Sequence, residues 1–233
     1  MKRLVAAFLV AGFVVSGAAF GAEKAREGVG GVLLGISSRS VESLNSRLRA
    51  GGYGTFPSTA FSFGGWGWGI RGNWVFGGSG TGFVNQVDGQ IATATLSGGL
   101  GFFELGYRVE SAKASQVVGF AGFGGGGYTL KLVPLEVEQD FNQILRHPRT
   151  GSEMTGGQVL AKLGVQIDWI GPKFGKEKRT NLTVGVRLEY IIGLTSPAWK
   201  VENVDLRNAP DLSLDGFQLT LAVGFRGIEP GTD

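Results

Sequence analysis

A chain of 233 residues fits one domain of ordinary size. It contains 42 glycines but only 7 prolines and no Gly-X-Y period, which excludes a collagen helix and argues against a disordered tail. Because it has no cysteine, the chain cannot form disulfides or thiolate metal sites, and a net charge of +3 is too small to indicate a nucleic-acid partner.

The N-terminus has the pattern of a secretory signal peptide. Basic residues at 2 and 3 precede an apolar run over 4–15, and small residues follow at 18–22. This order of basic, apolar and small residues predicts cleavage after Ala19 or Gly21. The pattern therefore divides the chain into two parts: a cleaved peptide, 1–21, and a single mature domain, 22–233.

Apolar residues alternate with polar or small ones along eight segments of the mature chain, which is the period of β-strands. The alternation is clearest near the C-terminus, where every even residue from Leu182 to Leu194 is apolar. No mature segment approaches the about 20 consecutive apolar residues of a membrane helix, so the chain is either soluble or crosses lipid as strands. The predicted strands are 27–36, 59–71, 73–85, 88–109, 115–133, 155–169, 180–194 and 213–226.

Long and short connections alternate between these predicted strands. With an even strand number, this alternation predicts an all-β fold: a closed, antiparallel, up-and-down transmembrane barrel with its long loops on the outer side. Gly98 to Gly101 interrupt the fourth strand; we interpret them as a bulge, whereas a turn there would give ten strands. The long loops are 37–58, 134–154 and 195–212, a moderate connection lies at 85–87, and the shorter ones are 71–73, 110–114 and 171–179.

The first long loop contains a short helical pattern. Val41, Leu44 and Leu48 share one side of this predicted helix. Ser40 is placed to cap its start, and Gly51-Gly52 to end it. We expect the helix to form a lid on the outer end of the barrel, where it either packs on the rim or shields an apolar cavity or a partner site.

Several aromatic residues lie beside the predicted short turns or at a strand end. In a membrane barrel, such residues form belts at the level of the lipid headgroups. We predict an aromatic belt near the inner membrane surface, with a carbohydrate-binding platform as the alternative. Its members are Trp66, Trp68, Trp74, Tyr107 and Trp169.

Ionisable residues of both signs occupy lumen-facing positions of the predicted strands. The interior of an eight-stranded barrel is filled by side chains, and an unpaired charge in such an interior is costly. We therefore predict that these residues pair and plug the lumen, with an ion pathway as the alternative. They are Glu104, Arg108, Lys162, Asp168, Arg187, Glu189 and Arg226.

With these features the chain resembles the small eight-stranded outer-membrane β-barrel proteins of Gram-negative bacteria. Its last strand, Gly216 to Phe225, looks like the assembly signal of such barrels, although 226–233 follow the final aromatic residue. The Gly-rich hairpin from Phe61 to Ile70 looks like those of an uncharacterised group of such barrels. The resemblance implies an outer-membrane location, insertion by the barrel-assembly machinery, and contact with outer-membrane lipid and lipopolysaccharide. Basic residues of the first loop that could meet lipopolysaccharide phosphates are Arg39, Arg47 and Arg49.

We expect a barrel without enzymatic activity or cofactor that has a structural role or binds an external partner, whose identity the sequence does not specify. A narrow transporter or a barrel for a small apolar ligand is one alternative, and a soluble barrel of lipocalin type is another. A lipid-modifying enzyme built on His147, Ser152 and Glu153 is a third, although residues of one loop lack a framework to fix their geometry. Acidic residues of the same loop look like an exposed turn rather than a metal cage: Glu136, Glu138 and Asp140.

Overall fold

The computed structural model describes residues 27–90, 92–112, 114–135, 152–174, 180–201 and 204–228. Most of them lie in β-strands. The strands are β1 (Glu27–Ser38), β2 (Thr59–Arg71), β3 (Trp74–Asp88), β4 (Ala92–Ala112), β5 (Ser115–Pro134), β6 (Ser152–Phe174), β7 (Thr180–Gly193), β8 (Ala198–Val201), β9 (Val204–Asp205) and β10 (Gly216–Ile228). One helix, α1 (Glu42–Ala50), lies between β1 and β2. The predicted signal peptide, 1–21, lies outside the described residues.

Eight strands close into a barrel. β1 to β7 pair antiparallel in chain order, β7 pairs with β10, and β10 pairs with β1. β8 and β9 form a small hairpin in the last long loop, where β8 pairs with the start of β6. The predicted fold, a closed up-and-down barrel of eight antiparallel strands with a short helix in its first long loop, is confirmed.

The strands are strongly staggered around the barrel. Following paired residues once around the wall from Glu27 leads back to β1 at Ser37, a shift of ten residues. With eight strands, this shift corresponds to a strand tilt of about 40° and a radius of about 8 Å. Side chains fill an interior of this size. The path runs through Glu27, Ile70, Val75, Gly106, Phe120, Gly164, Glu189, Gln218 and Ser37.

Close contacts inside the wall explain part of the high glycine content. A Cβ atom added at inward-facing Gly64 would collide with the carbonyl oxygen of Gly80, and one at Gly77 would collide with that of Gly67. At outward-facing Gly119, by contrast, an added Cβ meets nothing within 4 Å. The inward-facing glycines at these positions are therefore required by the tight coiling of the strands, whereas Gly119 is not.

The outer face of the barrel is apolar on every strand. Most inward-facing side chains of the barrel strands are buried, including charged ones, whereas many large outward-facing apolar side chains are 38–60% exposed. We call this outer surface the apolar band. It includes Val32, Leu34, Ile36, Phe61, Phe63, Phe76, Phe103, Leu105, Phe123, Leu163, Val165, Ile167, Leu182, Val186, Leu188, Phe217, Leu219, Leu221 and Phe225.

The two ends of the barrel differ. One, the turn end, carries the start of β1, the end of β10 and the tight turn at Gly72-Asn73. The other, the loop end, carries α1, the end of β3, the start of β4 and residues 194–201 and 204–215. On one side, β4, β5 and β6 reach 21, 20 and 23 residues, so their wall projects beyond β1 and β10, which have 12 and 13.

The predicted strands differ from the observed ones in several bounds, most at β6, which was predicted at 155–169 and extends over Ser152–Phe174. The β3–β4 connection lies at 89–91 rather than 85–87, because the Asp88-Gly89 pair makes the turn and the Gly89 N–H donates to the Ala92 carbonyl at 2.9 Å. No bulge interrupts β4 at 98–101, where pairing with β3 and β5 is continuous. The alternation only looks broken there because glycines occupy the outward positions 99 and 101 on either side of the inward-facing Leu100.

Helix α1 covers the loop end. Its first residue follows Val41, whose side chain makes no capping hydrogen bond, and Gly52 has a φ of 77° just after its end. The predicted cap at Ser40 is therefore wrong, because Ser40 instead forms a β-bridge with Ser213. In the part of the chain that is described, no helix is long and apolar enough to cross a bilayer.

Candidate functional site: the lumen of the barrel

Four ionisable side chains meet near the middle of the lumen. Glu104 comes from β4, Lys162 from β6, and Arg187 and Glu189 from β7, and each is at most 3% exposed. We call these four residues the central charge cluster. They converge because all four occupy inward positions, and because Glu104 lies between Gly77 and Gly122 in the sheet register, where no neighbouring side chain fills the space.

Charges of opposite sign alternate within the central charge cluster. Lys162 Nζ lies 2.5 Å from Glu104 Oε1 and 2.6 Å from Glu189 Oε1. Arg187 Nη2 lies 2.8 Å from Glu189 Oε1 and also contacts Glu104 Oε1. Each carboxylate thus contacts two cations, and the cluster is neutral as a whole. Such pairing offsets the cost of burying the charges, which would be large for any member alone.

Polar and aromatic neighbours complete the surroundings of the cluster. Ser79 donates to Glu104 at 2.6 Å and accepts a hydrogen bond from Lys162 at 2.8 Å. The Lys162 Nζ atom lies 4.3 Å from the ring centre of Phe102, and the Arg187 guanidinium lies 4.2 Å from that of Phe120. Cation–π attraction therefore adds to the ion pairs.

A second group of charges lies at the turn end. Arg108 Nη1 is 2.7 Å from Glu27 Oε2, and Arg226 contacts the same oxygen. Arg226 also donates to Gln116 at 3.1 Å, and Gln116 in turn donates to Asp168 at 2.9 Å. Arg108 and Arg226 thus pair with a residue outside the predicted set. The alternation of β1 could have identified Glu27, since it shares the inward face of Val29 and Leu33.

The seven predicted lumen charges are therefore divided between two groups and one further residue. Four form the central charge cluster, and two pair with Glu27 at the turn end. The seventh, Asp168, accepts hydrogen bonds from Gln116 and from Gln166, the latter at 2.8 Å. When Glu27 is counted with these seven residues, acidic and basic side chains are equal in number.

The prediction of an aromatic belt is wrong for two of its five members. Trp66 and Trp68 are 5% and 3% exposed and lie inside the barrel, with ring centres 4.8 Å apart. Their position beside a turn suggested a belt, but they alternate with Gly65, Gly67 and Gly69, which occupy the outward positions. Strand alternation, rather than closeness to a turn, decides which face a residue takes.

The other three aromatic residues face outward near the turn end. Trp74 and Tyr107 are about half exposed, with ring centres 5.5 Å apart in an edge-on arrangement. Asn73 donates a hydrogen bond to the Tyr107 hydroxyl at 3.0 Å. Trp169, at the corresponding end of the outer face of β6, is 53% exposed.

Above the central charge cluster, the lumen is filled by apolar side chains. Val41, Leu44 and Leu48 of the predicted lid are buried and pack with residues of the long strands and of the last long loop. The side chain of Asn45 holds the lid in place, because it bonds to the backbone carbonyl and N–H of Phe56 at 2.8 and 2.9 Å. We call this region the apolar cap. Its other members include Phe83, Leu96, Leu100, Leu130, Leu160, Leu212 and Leu214.

Arg39 lies at the edge of the apolar cap. Its guanidinium lies 3.4 Å from the ring centre of Phe83, and the residue is 7% exposed. Burial lowers the pKa of Arg39 to about 10, so the side chain stays charged at neutral pH. Arg47 and Arg49, the other basic residues of this loop, lie on the exposed face of α1.

Most residues of the alternative catalytic and metal sites lie outside the described part of the chain. His147 and the acidic residues Glu136, Glu138 and Asp140 lie outside them, while Ser152 and Glu153 are exposed at the start of β6. Within the described ranges, no three His, Cys, Asp or Glu side chains are grouped so that they could hold a metal ion.

Comparison with family models and with curated proteins found no match. Among solved structures, the chain is similar to Ail, the attachment invasion locus protein of Yersinia pestis, with 12% identity, coverage of 85% of this chain and 98% of that one, and a TM-score of 0.44. Neisserial surface protein A is 14% identical, with coverage of 87% of this chain and 97% of that one and a TM-score of 0.43. The outer membrane protein OprG from Pseudomonas aeruginosa is 12% identical, with coverage of 89% of this chain and 98% of that one and a TM-score of 0.41. At these values the barrel assignment rests on the strand pairings of the chain itself.

Proposed function

We propose that the chain is a membrane-spanning barrel of the bacterial outer membrane, exported by a cleaved signal peptide. The observation that carries this proposal is the apolar band. A contiguous apolar surface on a soluble monomer rarely exceeds a few hundred Å², whereas this one occupies all eight strands and surrounds a charged lumen. Such an arrangement, apolar outside and polar inside, is the one that lipid requires.

The height of the apolar band supports the same proposal. On β7 the outward apolar residues run from Leu182 to Ile192, which corresponds to about 33 Å along the strand. A tilt of about 40° reduces this to about 25 Å along the barrel axis, the usual height of the apolar belt of outer-membrane barrels. Outward residues of the projecting wall, such as Thr95 and Lys131, are polar and would stand above the lipid.

We further propose that the barrel has no catalytic role and no open channel. The turn end would face the periplasm and the loop end the exterior, so that a structural or partner-binding role would depend on α1 and the long loops. Outer-membrane lipid, lipopolysaccharide and the barrel-assembly machinery are the proposed partners. The exposed Arg47 and Arg49 would be available to lipopolysaccharide phosphates.

The first test is fractionation of the producing cells, followed by electrophoresis of the membrane fraction with and without heating in mild detergent. We expect the protein in the outer-membrane fraction and a change of mobility on heating, because barrels closed by backbone hydrogen bonds resist detergent. A protein that is recovered in the soluble fraction with no change of mobility would contradict the proposal.

The closed lumen has its own test in a planar lipid bilayer. The central charge cluster and the apolar cap together predict no stable conductance from the purified full chain. Steps of constant size in the recorded current would instead favour the narrow transporter.

A further inference from the structure

One wall of the lumen carries buried polar atoms that have no hydrogen-bond partner among the described residues. These atoms belong to side chains that are at most 8% exposed and lie on the inner faces of β6, β7 and β10. We call this set of side chains the polar lane. Its unpartnered atoms are Gln166 Oε1, Thr183 Oγ1, Arg187 Nε and Nη1, Gln218 Nε2, Thr220 Oγ1 and Arg226 Nε.

The members of the polar lane are neighbours in the sheet. Arg187 is paired in register with Gln166 on β6 and with Thr220 on β10. From Gln218 to Arg226 the lane extends over eight residues of β10, which corresponds to about 20 Å along the barrel axis. The lane therefore runs from the turn end to a point close below the apolar cap.

A buried cluster without oxygen atoms in its side chains lies beside the lane. Val29, Leu33, Trp66, Val118 and Phe120 form one buried cluster on the neighbouring strands. Since these side chains offer the lane no oxygen acceptor, its unpartnered atoms must find partners elsewhere. A buried polar group left without a hydrogen bond is unfavourable, and the large majority of buried side-chain polar atoms in proteins are paired, either with protein or with ordered water.

The chemistry of the lane identifies the partner. Gln166 Oε1 can only accept a hydrogen bond, the free nitrogens of Arg187 and Gln218 can only donate, and the threonine hydroxyls can do both. An anion would satisfy the donors alone, and the neutral central charge cluster leaves no excess positive charge to hold it. Water both donates and accepts, so it suits every atom of the lane.

We propose that the polar lane binds a file of ordered water molecules that enters at the turn end and stops beneath the apolar cap. At the turn end, the Glu27 side chain is 21% exposed and gives access to solvent. At the other end, Leu160, Leu212 and Leu214 are at most 1% exposed and exclude water. The lumen is then a blind vestibule, hydrated from one side. This inference rests on the closed lumen of the proposed function.

The sign of a stability change tests the hydration of the lane. Thr183→Val and Thr220→Val replace a hydroxyl with a methyl of similar shape. If each hydroxyl binds water, its loss lowers the folding equilibrium constant roughly 3- to 10-fold. If the lane is dry, the same changes remove an unsatisfied group and raise that constant, which would overturn the proposal. Urea titration of the full chain in phosphatidylcholine vesicles measures the folding equilibrium constant. Thr129→Val, on the outer face of β5, is the control, and we expect it to change this constant less than about twofold.

Contact between water and side-chain methyl groups provides a second test. We expect cross-relaxation with water at the methyls of Thr183 and Thr220 in the wild-type chain, and none at those of Leu160 and Leu212. No cross-relaxation at any of the four would overturn the proposal. Water contact at all four methyl positions would overturn the blind vestibule and the closed lumen. The proposal of a lipid-facing outer surface would stand in that case. Failure of this inference can therefore be distinguished from failure of the proposed membrane-spanning barrel.

Discussion

Trp68 donates its indole N–H to Glu104 Oε2 over a distance of 2.5 Å, from β2 across β3 to β4. The intervening residue in the sheet register is Gly77, and the indole passes over it because no side chain is present there. The contact thus joins an aromatic side chain to the central charge cluster.

Trp68→Phe removes this donor and keeps most of the ring. We expect the free energy of unfolding to fall by about 1–3 kcal/mol, because Glu104 would lose one of the hydrogen bonds to its buried carboxylate. Urea titration of the barrel in vesicles measures the change, with Trp74→Phe on the outer face as the control. Equal effects of the two substitutions would show that the indole N–H contributes nothing.

Lys162→Met leaves the central charge cluster with one unbalanced negative charge. We expect a loss of about 3–5 kcal/mol, as for other buried pairs from which one partner is removed. Adding Glu189→Gln restores neutrality, since Arg187 and Glu104 remain as a pair, and it should recover a substantial part of the loss. Lys131→Met, at an exposed outward position, is the matched control. If the loss of unfolding free energy in the double variant equals the sum of the losses in the two single variants, the charges do not act as one cluster.

Gly64→Ala and Gly119→Ala test the close packing of the wall. The Gly64 substitution should destabilise the barrel by about 1–3 kcal/mol or prevent folding, because its methyl group meets the backbone of β3. The Gly119 substitution should change stability by less than about 0.5 kcal/mol, because its surroundings are open. The heat-dependent mobility and the urea midpoint report on both. If both substitutions change stability equally little, the observed register between β2 and β3 would be contradicted.

Val186→Arg tests which surface meets lipid. An arginine near the middle of the apolar band should cost about 2–4 kcal/mol in a bilayer. Gln86→Arg, at an exposed outward position near the loop end of β3, should cost little. Folding yield and urea midpoint in vesicles compare the two variants. If the Val186→Arg variant proves as stable as its control, the apolar band does not lie in lipid.

The strand pattern could be predicted because a two-residue alternation survives in the sequence without knowledge of neighbours. The bounds of β2 were predicted without error, and those of β5 and β7 within one residue. The β3–β4 turn was misplaced because alternation continues through Asn85 and Gln86, and only the Asp88-Gly89 turn chemistry marks the true end. Alternation reports which face a residue occupies, but a strand end has to be found from turn residues.

The pairing of charges was less predictable than their orientation. Alternation identified Glu104, Lys162, Arg187 and Glu189 as inward residues, but which of them meet depends on the ten-residue stagger, and no local pattern reports it. Glu27 was missed because it begins a strand rich in glycine. Trp66 and Trp68 lie close to a turn, which indicated a belt, but their place in the alternation puts them in the lumen.

The stagger of the strands also determines how depth is distributed around the barrel. Because the strands are tilted by about 40°, paired residues on neighbouring strands differ in depth by about 3 Å, and one circuit of the wall changes depth by about 25 Å. A single row of paired residues thus follows a helical path through the whole thickness of the apolar band. Residues at equal depth consequently belong to different rows, so a layer of side chains facing one level of the bilayer is assembled from segments that are not partners in the sheet.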